Sequence, residues 1–400
     1  MAYRVKNMIK GDSIIWTILL FLSLLSLLIV YSSTGRLVSG RDAGIFTYLI
    51  RHATFLIVGF LIMIFMVNVI PVKAYSRLSK FLLLLSIGLL MLAIAMKLAG
   101  FIRGTGRTIA LGPLSFQPAE VAKLALVMYA AKILGIGQAT ANDRIRAFWY
   151  IMTATALVTA LIAFSNVSTA MLLFATILSM LFVGRVPIRY LLLVVSAGIS
   201  MLLLIYYFGD KMGAISNRFP TAQARMERFI HGDPASGRGI TQADYAKLAI
   251  YEGGFLGKGP GNTDVANYMA AAYNDFIYAI IIEEYGLIVG GASVLMLYLI
   301  LFYRGIAIVR RSNRTFPAFL VAGLTLMLVY QAMINIGVSA GIFPVTGQPL
   351  PWVSMGGTSN IFTAIAFGCI LSVSYQNQKD NKAVETAVQV TLPDEDEELK

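Results

Sequence analysis

The sequence predicts an all-α polytopic membrane protein with ten transmembrane helices, and three observations carry that prediction. The 400-residue chain is 58% hydrophobic and only 13% charged, with mean hydropathy +0.75. Its apolar runs repeatedly reach the roughly 20 residues that a spanning helix requires. Its cations fall in small groups between those runs, as the positive-inside bias demands. A net charge of +12 gathered on one face would suggest a nucleic-acid partner; scattered between spans it argues for none.

Taken in order, the first element follows Arg4, Lys6 and Lys10 and runs over about 14–32. It is too long for a signal-peptide core and lacks a small-residue cleavage site, so it reads as a retained span. Further spans are expected near 48–70, 78–99, 119–136, 147–163, 167–184, 190–208, 275–303, 316–339 and 358–375. An even count puts both termini on one side. Short loops there carry Lys73, Arg77 and Lys80; Arg144 and Arg146; Arg185 and Arg189; and Arg304, Arg310, Arg311 and Arg314. That side is therefore expected to be cytoplasmic.

The opposite side holds the unusual material. It comprises loop 100–118, the Gly- and Pro-rich loop 340–357, and a long segment over about 209–274 between spans seven and eight. A connection of that length is functional or disordered. Its aromatics and aliphatics, including Tyr245, Tyr251 and Phe255, argue for order, with a short interfacial helix near 240–252. From Gln376 the chain turns polar and then acidic, which predicts a disordered cytoplasmic tail over 376–400. The ten-span domain is thus 1–375. There is no internal repeat of the kind transporters show.

The single cysteine, Cys369, excludes an intramolecular disulfide, and His52 and His231 are the only histidines, so no zinc cluster is expected. Asn274-Asp275 stands where the long loop enters an apolar helix that then contains Glu283 and Glu284. Carboxylates at membrane depth cost about 2.5–3.5 kcal/mol each and mark functional sites. Asp275 also suits a helix N-cap, the reading this segment alone favours. Gly257 and Gly259 with Lys258 form a turn that suits an anion or merely a solvated bend. It is not a phosphate loop of the Walker type, since Glu252 and Gly259 stand where that motif needs Gly and Ser/Thr.

Gln117, Pro118, Glu120 and Lys123 open the fourth span, where Glu120 and Lys123 are spaced to pair. The pair serves equally as a structural bridge or as a site wall. Pro349 and Pro351 with Gly356 and Gly357 give a rigid turn, in which Trp352 suits the membrane interface. The glycines before Thr358 and Ser359 also offer backbone donors at a helix start. Arg103 and Arg107 on the same outer side suit phosphate oxygens or lipid headgroups.

Together these blocks resemble the SEDS family of cell-wall proteins (shape, elongation, division and sporulation) over about 14–374. The matching blocks are Gln117-Pro118-x-Glu120-x-x-Lys123; Gly257-x-Gly259-x-Gly261-Asn262; Asn274-Asp275-Phe276 with Glu283-Glu284-x-Gly286; Asn335-Ile336-Gly337; and Pro349-Leu350-Pro351 with Ser354-x-Gly356-Gly357-x-Ser359. The overall pattern is more like the division branch than the elongation branch. Two departures stand out: Ser165-Asn166-Val167-Ser168-Thr169 replaces the usual Pro-Asp-Leu-Gly-Thr, and Met355 replaces a Tyr.

The resemblance implies a peptidoglycan glycosyltransferase that polymerises lipid II at the outer face of the cytoplasmic membrane and releases undecaprenyl diphosphate. It implies a class B penicillin-binding protein as partner, within the divisome or elongasome. Asp275 falls on the family's essential aspartate and is expected to be catalytic. Substrate or diphosphate binding is expected of Lys258, Arg107, Arg103, Lys123, Gly257, Gly259, Asn262, Asn274, Ser354, Gly356, Gly357 and Ser359. A cavity frame is expected of Glu120, Gln117, Pro118, Glu283, Pro349 and Pro351. A divalent cation, Mg²⁺ or Mn²⁺, suits a bridge from Asp275 to the diphosphate, with no organic cofactor. A lipid II flippase and a scaffold that only recruits a transpeptidase are the alternatives.

Overall fold

The computed structural model describes residues 9–33, 45–101, 108–111, 114–214, 218–231, 240–265, 268–269 and 272–391. Arg103 and Arg107 lie outside the described residues. The bundle begins with α1 (Ser13–Ser33), α2 (Ile45–Val69) and α3 (Val72–Leu98), followed by a short antiparallel hairpin of β1 (Ile109–Leu111) and β2 (Leu114–Phe116). Next come α4 (Pro118–Ile136), α5 (Ala141–Ala163), α6 (Val167–Val183) and α7 (Ile188–Phe208). The long connection then contributes α8 (Arg218–His231), α9 (Gln242–Gly253) and the single turn α10 (Ala272–Asp275). The next helix is composite: α11 (Ile277–Tyr285), a π-helical stretch (Gly286–Ala292) and α12 (Ser293–Arg310). α13 (Thr315–Ser339) and α14 (Thr358–Thr391) complete the fold.

A helix stands at each of the ten expected span positions. Eight of these helices are long and apolar enough to cross a membrane. Of the other two, α6 is 17 residues long and α4 carries Glu120, Lys123 and Lys132. This is an all-α polytopic membrane protein. Local chemistry sets the ends: Thr140 accepts from Asp143 N at 3.1 Å, Asn166 from Thr169 N at 3.3 Å, and Thr241 and Asp244 form a reciprocal capping box.

The tail departs from expectation. α14 continues past Gln376 to Thr391, where a disordered tail is expected; residues 392–400 of that tail lie outside the described residues. Its first polar turns are docked: Asn377 Nδ2 donates to Ile308 O at 3.0 Å and Gln378 Nε2 to Gly11 O at 3.2 Å. Composition alone missed those partners.

Trp352 is a second departure. It is fully buried rather than interfacial, with its indole N–H donated to Ser23 Oγ at 2.7 Å. The chain after α13 folds back among α1, α2 and α14, so its aromatic residue becomes core. Trp352 holds φ +68°, a left-handed conformation costing about 1–2 kcal/mol, so the packing over-determines it.

The glycine-rich turn is structural as well. Helix α11 ends at Gly286, so its last carbonyls need donors from elsewhere. Lys258 N donates to Glu283 O and Gly259 N to Glu284 O, both at 2.9 Å. These amides are committed to the span and do not face an anion. Gly257, at φ +79°, lies so close that a Cβ would sit 2.3 Å from Glu284 O. We expect Gly257→Ala to cost at least about 2 kcal/mol, the sum of backbone strain and overpacking. Gly254→Ala, at φ +52° with open space around it, should cost only the backbone part, about 1–2 kcal/mol. Melting curves in detergent compare them, and equal losses would remove the close-approach explanation.

Candidate active site at the outer ends of the helices

Three carbonyls around Asp275 are tied down by a neighbouring loop and helix. Met355 N donates to Tyr273 O at 3.2 Å, Ser354 Oγ to Asn274 O at 2.7 Å, and Asn335 Nδ2 to Asp275 O at 2.9 Å. The same Asn335 amide reaches Gln348 O at 2.8 Å, so α13 clamps both segments. The cap position of α11 is Phe276, with no capping side chain. Asp275 closes the preceding turn instead, and its half-buried side chain is not that helix's N-cap.

The charge facing Asp275 comes from α8. The Arg225 guanidinium lies within electrostatic range of Asp275 and donates to Val345 O at 3.1 Å. Burial lowers its affinity for the proton, the Asp275 charge opposes that, and Arg218 and Arg228 add repulsion. Arg218 is also lowered by burial, and Lys97 at the end of α3 stands within its repulsive range. Arg225 thus stands between the Asp275 charge and the repulsion of Arg218 and Arg228, and Arg218 in turn has Lys97 within range. Crowded like charges at a cleft are an anion-binding signature.

Arg218 and Arg225 also line a cavity of about 410 Å³, otherwise walled largely by apolar residues such as Val167, Met171, Leu202, Ile334 and Phe343. Asn274 Oδ1, Asn335 Oδ1 and Thr346 Oγ1 are buried without a hydrogen-bond partner among the described residues. Thr346 belongs to the cavity wall. Unpaired buried acceptors cost about 1–3 kcal/mol each, so these atoms are retained at a cost to stability.

The expected cations behave differently. Lys258 Nζ is ion-paired with Glu252, with Asp264 at 3.0 Å and with Glu283 at 3.7 Å. The Glu252 hydrogen bond, foremost, holds its ammonium above the ordinary lysine range. Surrounded by three carboxylates, it is a clamp within the loop and not a free phosphate ligand. Glu283 Oε1 accepts Asp264 N and Val265 N, each at 2.9 Å, and Asn262 Nδ2 donates to Lys258 O at 3.0 Å. That whole block fastens the loop to α11.

Lys123 is equally committed. It is 2% exposed and reaches Glu120 Oε1 at 2.9 Å and Gln331 Oε1 at 3.1 Å. Gln331 Nε2 in turn donates to Pro349 O at 2.9 Å. Pro118 and Glu120 are buried at the start of α4, with Gln117 in the cap position, and Pro351 O accepts from Tyr298 OH. The Gly356-Gly357 segment turns its donors inward: Gly356 N reaches Ser354 O, Ser359 N reaches Gly356 O and Asn360 N reaches Gly357 O. Ser354 Oγ is filled by Leu350 N as well as Asn274 O. Lys123, Ser354 Oγ and the amides of Gly356 and Ser359 are thus taken by protein partners and shape the site.

Sequence reasoning missed Arg218, Arg225 and Arg228. The available signal was their spacing, i, i+7 and i+10, which puts three cations on one side of a helix.

The family comparison agrees with the fold. A model described as a cell cycle protein, FtsW/RodA/SpoVE, matches residues 12–379. A probable peptidoglycan glycosyltransferase FtsW of Nitrosococcus halophilus is 34% identical over 339 residues, covering 83% of this chain and 84% of that protein. The peptidoglycan glycosyltransferase MrdB of Escherichia coli is 30% identical over 379 residues, covering 93% and 96%. The crystal structure of Thermus thermophilus RodA superposes with TM-score 0.63 at 25% identity, covering 92% and 97%. A chain from a peptidoglycan synthase complex that coordinates polymerisation and crosslinking shares the fold, with TM-score 0.69 at 24% identity, covering 92% and 98%. The chain belongs to the FtsW/RodA/SpoVE family of cell cycle proteins.

Proposed function

We infer that this chain is a peptidoglycan glycosyltransferase that polymerises lipid II, and that it serves septal cell-wall synthesis. The observation that carries the reading is the Asp275 carboxylate within electrostatic range of Arg225, which has Arg218 and Arg228 beside it. Glycosyl transfer from a diphosphate needs both parts. The acceptor sugar hydroxyl loses its proton to the Asp275 carboxylate as its oxygen bonds to the donor anomeric carbon. The bond from that carbon to the diphosphate oxygen breaks, and undecaprenyl diphosphate leaves with the bonding electron pair. Arg225 and Arg218, supported by Lys97 and Arg228, hold the charge that develops on the leaving group. The largely apolar cavity beside them suits the first part of the lipid tail.

A Mg²⁺ or Mn²⁺ ion fits only in company. Asp275 is the carboxylate within range of Arg225, and no group of three metal-binding side chains occurs among the described residues. Magnesium accepts one carboxylate when substrate phosphates and water complete its shell. Bound so, it would supply further neutralisation of the leaving diphosphate.

We further propose that all ten helices cross the membrane, with both termini cytoplasmic and Asp275 facing outward. The cation-bearing short loops at the end opposite Asp275 support this orientation. A class B penicillin-binding protein is the proposed partner, within the division machinery, since the new strands must be crosslinked.

The purified chain in liposomes, given labelled lipid II and no other polymerase, tests the reading. Glycan chains are the expected product. Translocated headgroups without chains would establish the flippase instead, and neither activity would leave a scaffold. Arg225→Gln should lower kcat/KM by about tenfold to a hundredfold while the protein stays folded, the scale of one lost charged contact in the transition state. Unchanged kinetics would remove Arg225 from the diphosphate site.

A further inference from the structure

At the end of the bundle opposite Asp275, where α1, α12 and α14 meet, lies a small polar cavity of about 120 Å³. Its lining includes Asp12, Ser13, Arg304, Arg311, Ser374 and Asn381. Water occupies about 30 Å³ in the liquid, so the space holds a few waters or one tetrahedral anion. The glycosyl transfer proposed for Asp275 makes no use of it.

The charge balance decides its ligand. Asp12 is 4% exposed and already saturated: Oδ2 takes both Nε, at 3.0 Å, and Nη2 of Arg304, while Oδ1 accepts Ile14 N at 3.0 Å and Ile15 N at 3.2 Å. That acid and that guanidinium cancel. Arg311 is exposed and has no acidic partner among the described residues. Lys10 and Lys379 both stand over the Tyr375 ring, at 5.1 and 4.6 Å from its centre, one residue along α14 from the lining Ser374. The acid on that stretch of α14, Asp380, accepts from Gln376 Nε2 at 2.8 Å. The surroundings are therefore net cationic and rich in neutral donors.

We propose that this cavity binds the phosphate of an anionic phospholipid headgroup, with Arg311 as its principal charge and Ser13 and Asn381 as hydrogen-bonding partners. A lipid is favoured over a free ion by the neighbouring surface. Ile14, Tyr303 and Ile306, next in sequence to lining residues or close to them, are 40%, 67% and 37% exposed. They belong to helices apolar enough to span, so acyl chains have a surface to follow from the cavity into the bilayer. Basic pockets between helices at a membrane face commonly take such headgroups. The assignment to the inner leaflet rests on the orientation proposed for the whole bundle; binding itself does not.

The test uses the full-length protein in a neutral detergent, with its melting temperature titrated against dioleoyl phosphatidylglycerol, dioleoyl phosphatidylcholine or inorganic phosphate. Phosphatidylglycerol should raise the midpoint and phosphatidylcholine should not. Arg311→Gln should weaken the phosphatidylglycerol response about tenfold or more in concentration, the worth of one charged hydrogen bond. Asn381→Leu, a second exposed position, should weaken it by narrowing the cavity without removing charge. Equal responses to the two lipids, or an undiminished response in both variants, would overturn the site. Inorganic phosphate matching phosphatidylglycerol at equal concentration, and losing its effect in Arg311→Gln, would keep the phosphate site but overturn the lipid as its source. Because detergent removes sidedness, failure here leaves the outward-facing reading of Asp275 untouched.

Discussion

Asp275→Asn is expected to abolish lipid II polymerisation, by about 10²–10⁴-fold if the carboxylate is the general base, while the protein remains folded. The structure separates the two outcomes because everything that positions this residue acts on the backbone. Asn335 grips the Asp275 carbonyl, and Ser354 and Met355 grip the carbonyls of Asn274 and Tyr273. An amide side chain leaves all three in place and keeps nearly the same volume. What it loses is the proton-accepting charge and the attraction for Arg225. The measurement pairs glycan-chain synthesis from labelled lipid II with a melting curve in detergent. A variant that melts normally and still makes chains at near the original rate would return Asp275 to a structural role. A variant that melts many degrees lower would mean that its side chain, rather than its backbone, holds α10 in place.

Legibility in the sequence follows the same physical division. Spans were legible because membrane insertion acts on averaged hydropathy, which a sequence displays directly. Thus α9 emerged near its expected 240–252 position from its aromatic content, and the Glu120–Lys123 pair from simple helical spacing. Side-chain roles were less legible because they depend on who else arrives. Lys258 looked like a phosphate ligand until the fold brought Glu252, Asp264 and Glu283 to it. Two of those carboxylates lie six residues from it along the chain, and the third comes from a different helix. Trp352 looked interfacial until the loop folded back into the bundle. The cation that does face Asp275 lies on α8, fifty residues earlier in the chain. Hydropathy gives such a short polar helix no weight. The π-helical stretch after Gly286 was invisible for a related reason: it arises where α11 surrenders its carbonyls to the 258–259 turn, a tertiary event.

Lys123→Met should be the most destabilising of these single substitutions. Removing the lysine leaves the Glu120 carboxylate, only 11% exposed, without its ion partner. Stranding one member of a buried pair costs about 3–5 kcal/mol. The loss should also reach the active site, because the same ammonium orients Gln331, whose amide holds the Pro349 carbonyl. Stability and activity should therefore fall together. Glu120→Leu combined with Lys123→Met should recover much of the stability, since replacing both charges by apolar groups of similar size is often neutral. Reversing the pair, Glu120→Lys with Lys123→Glu, gives a sharper reading. It restores an ion pair but turns a carboxylate toward Gln331 Oε1, an acceptor facing an acceptor. The amide must then flip and release Pro349, so melting temperature should recover in part while polymerisation stays low. Melting curves and chain synthesis on the parent chain and these three variants decide the matter. Normal stability with lost activity in Lys123→Met would make Lys123 a diphosphate ligand after all, and full recovery of activity in the reversed pair would sink the link through Gln331.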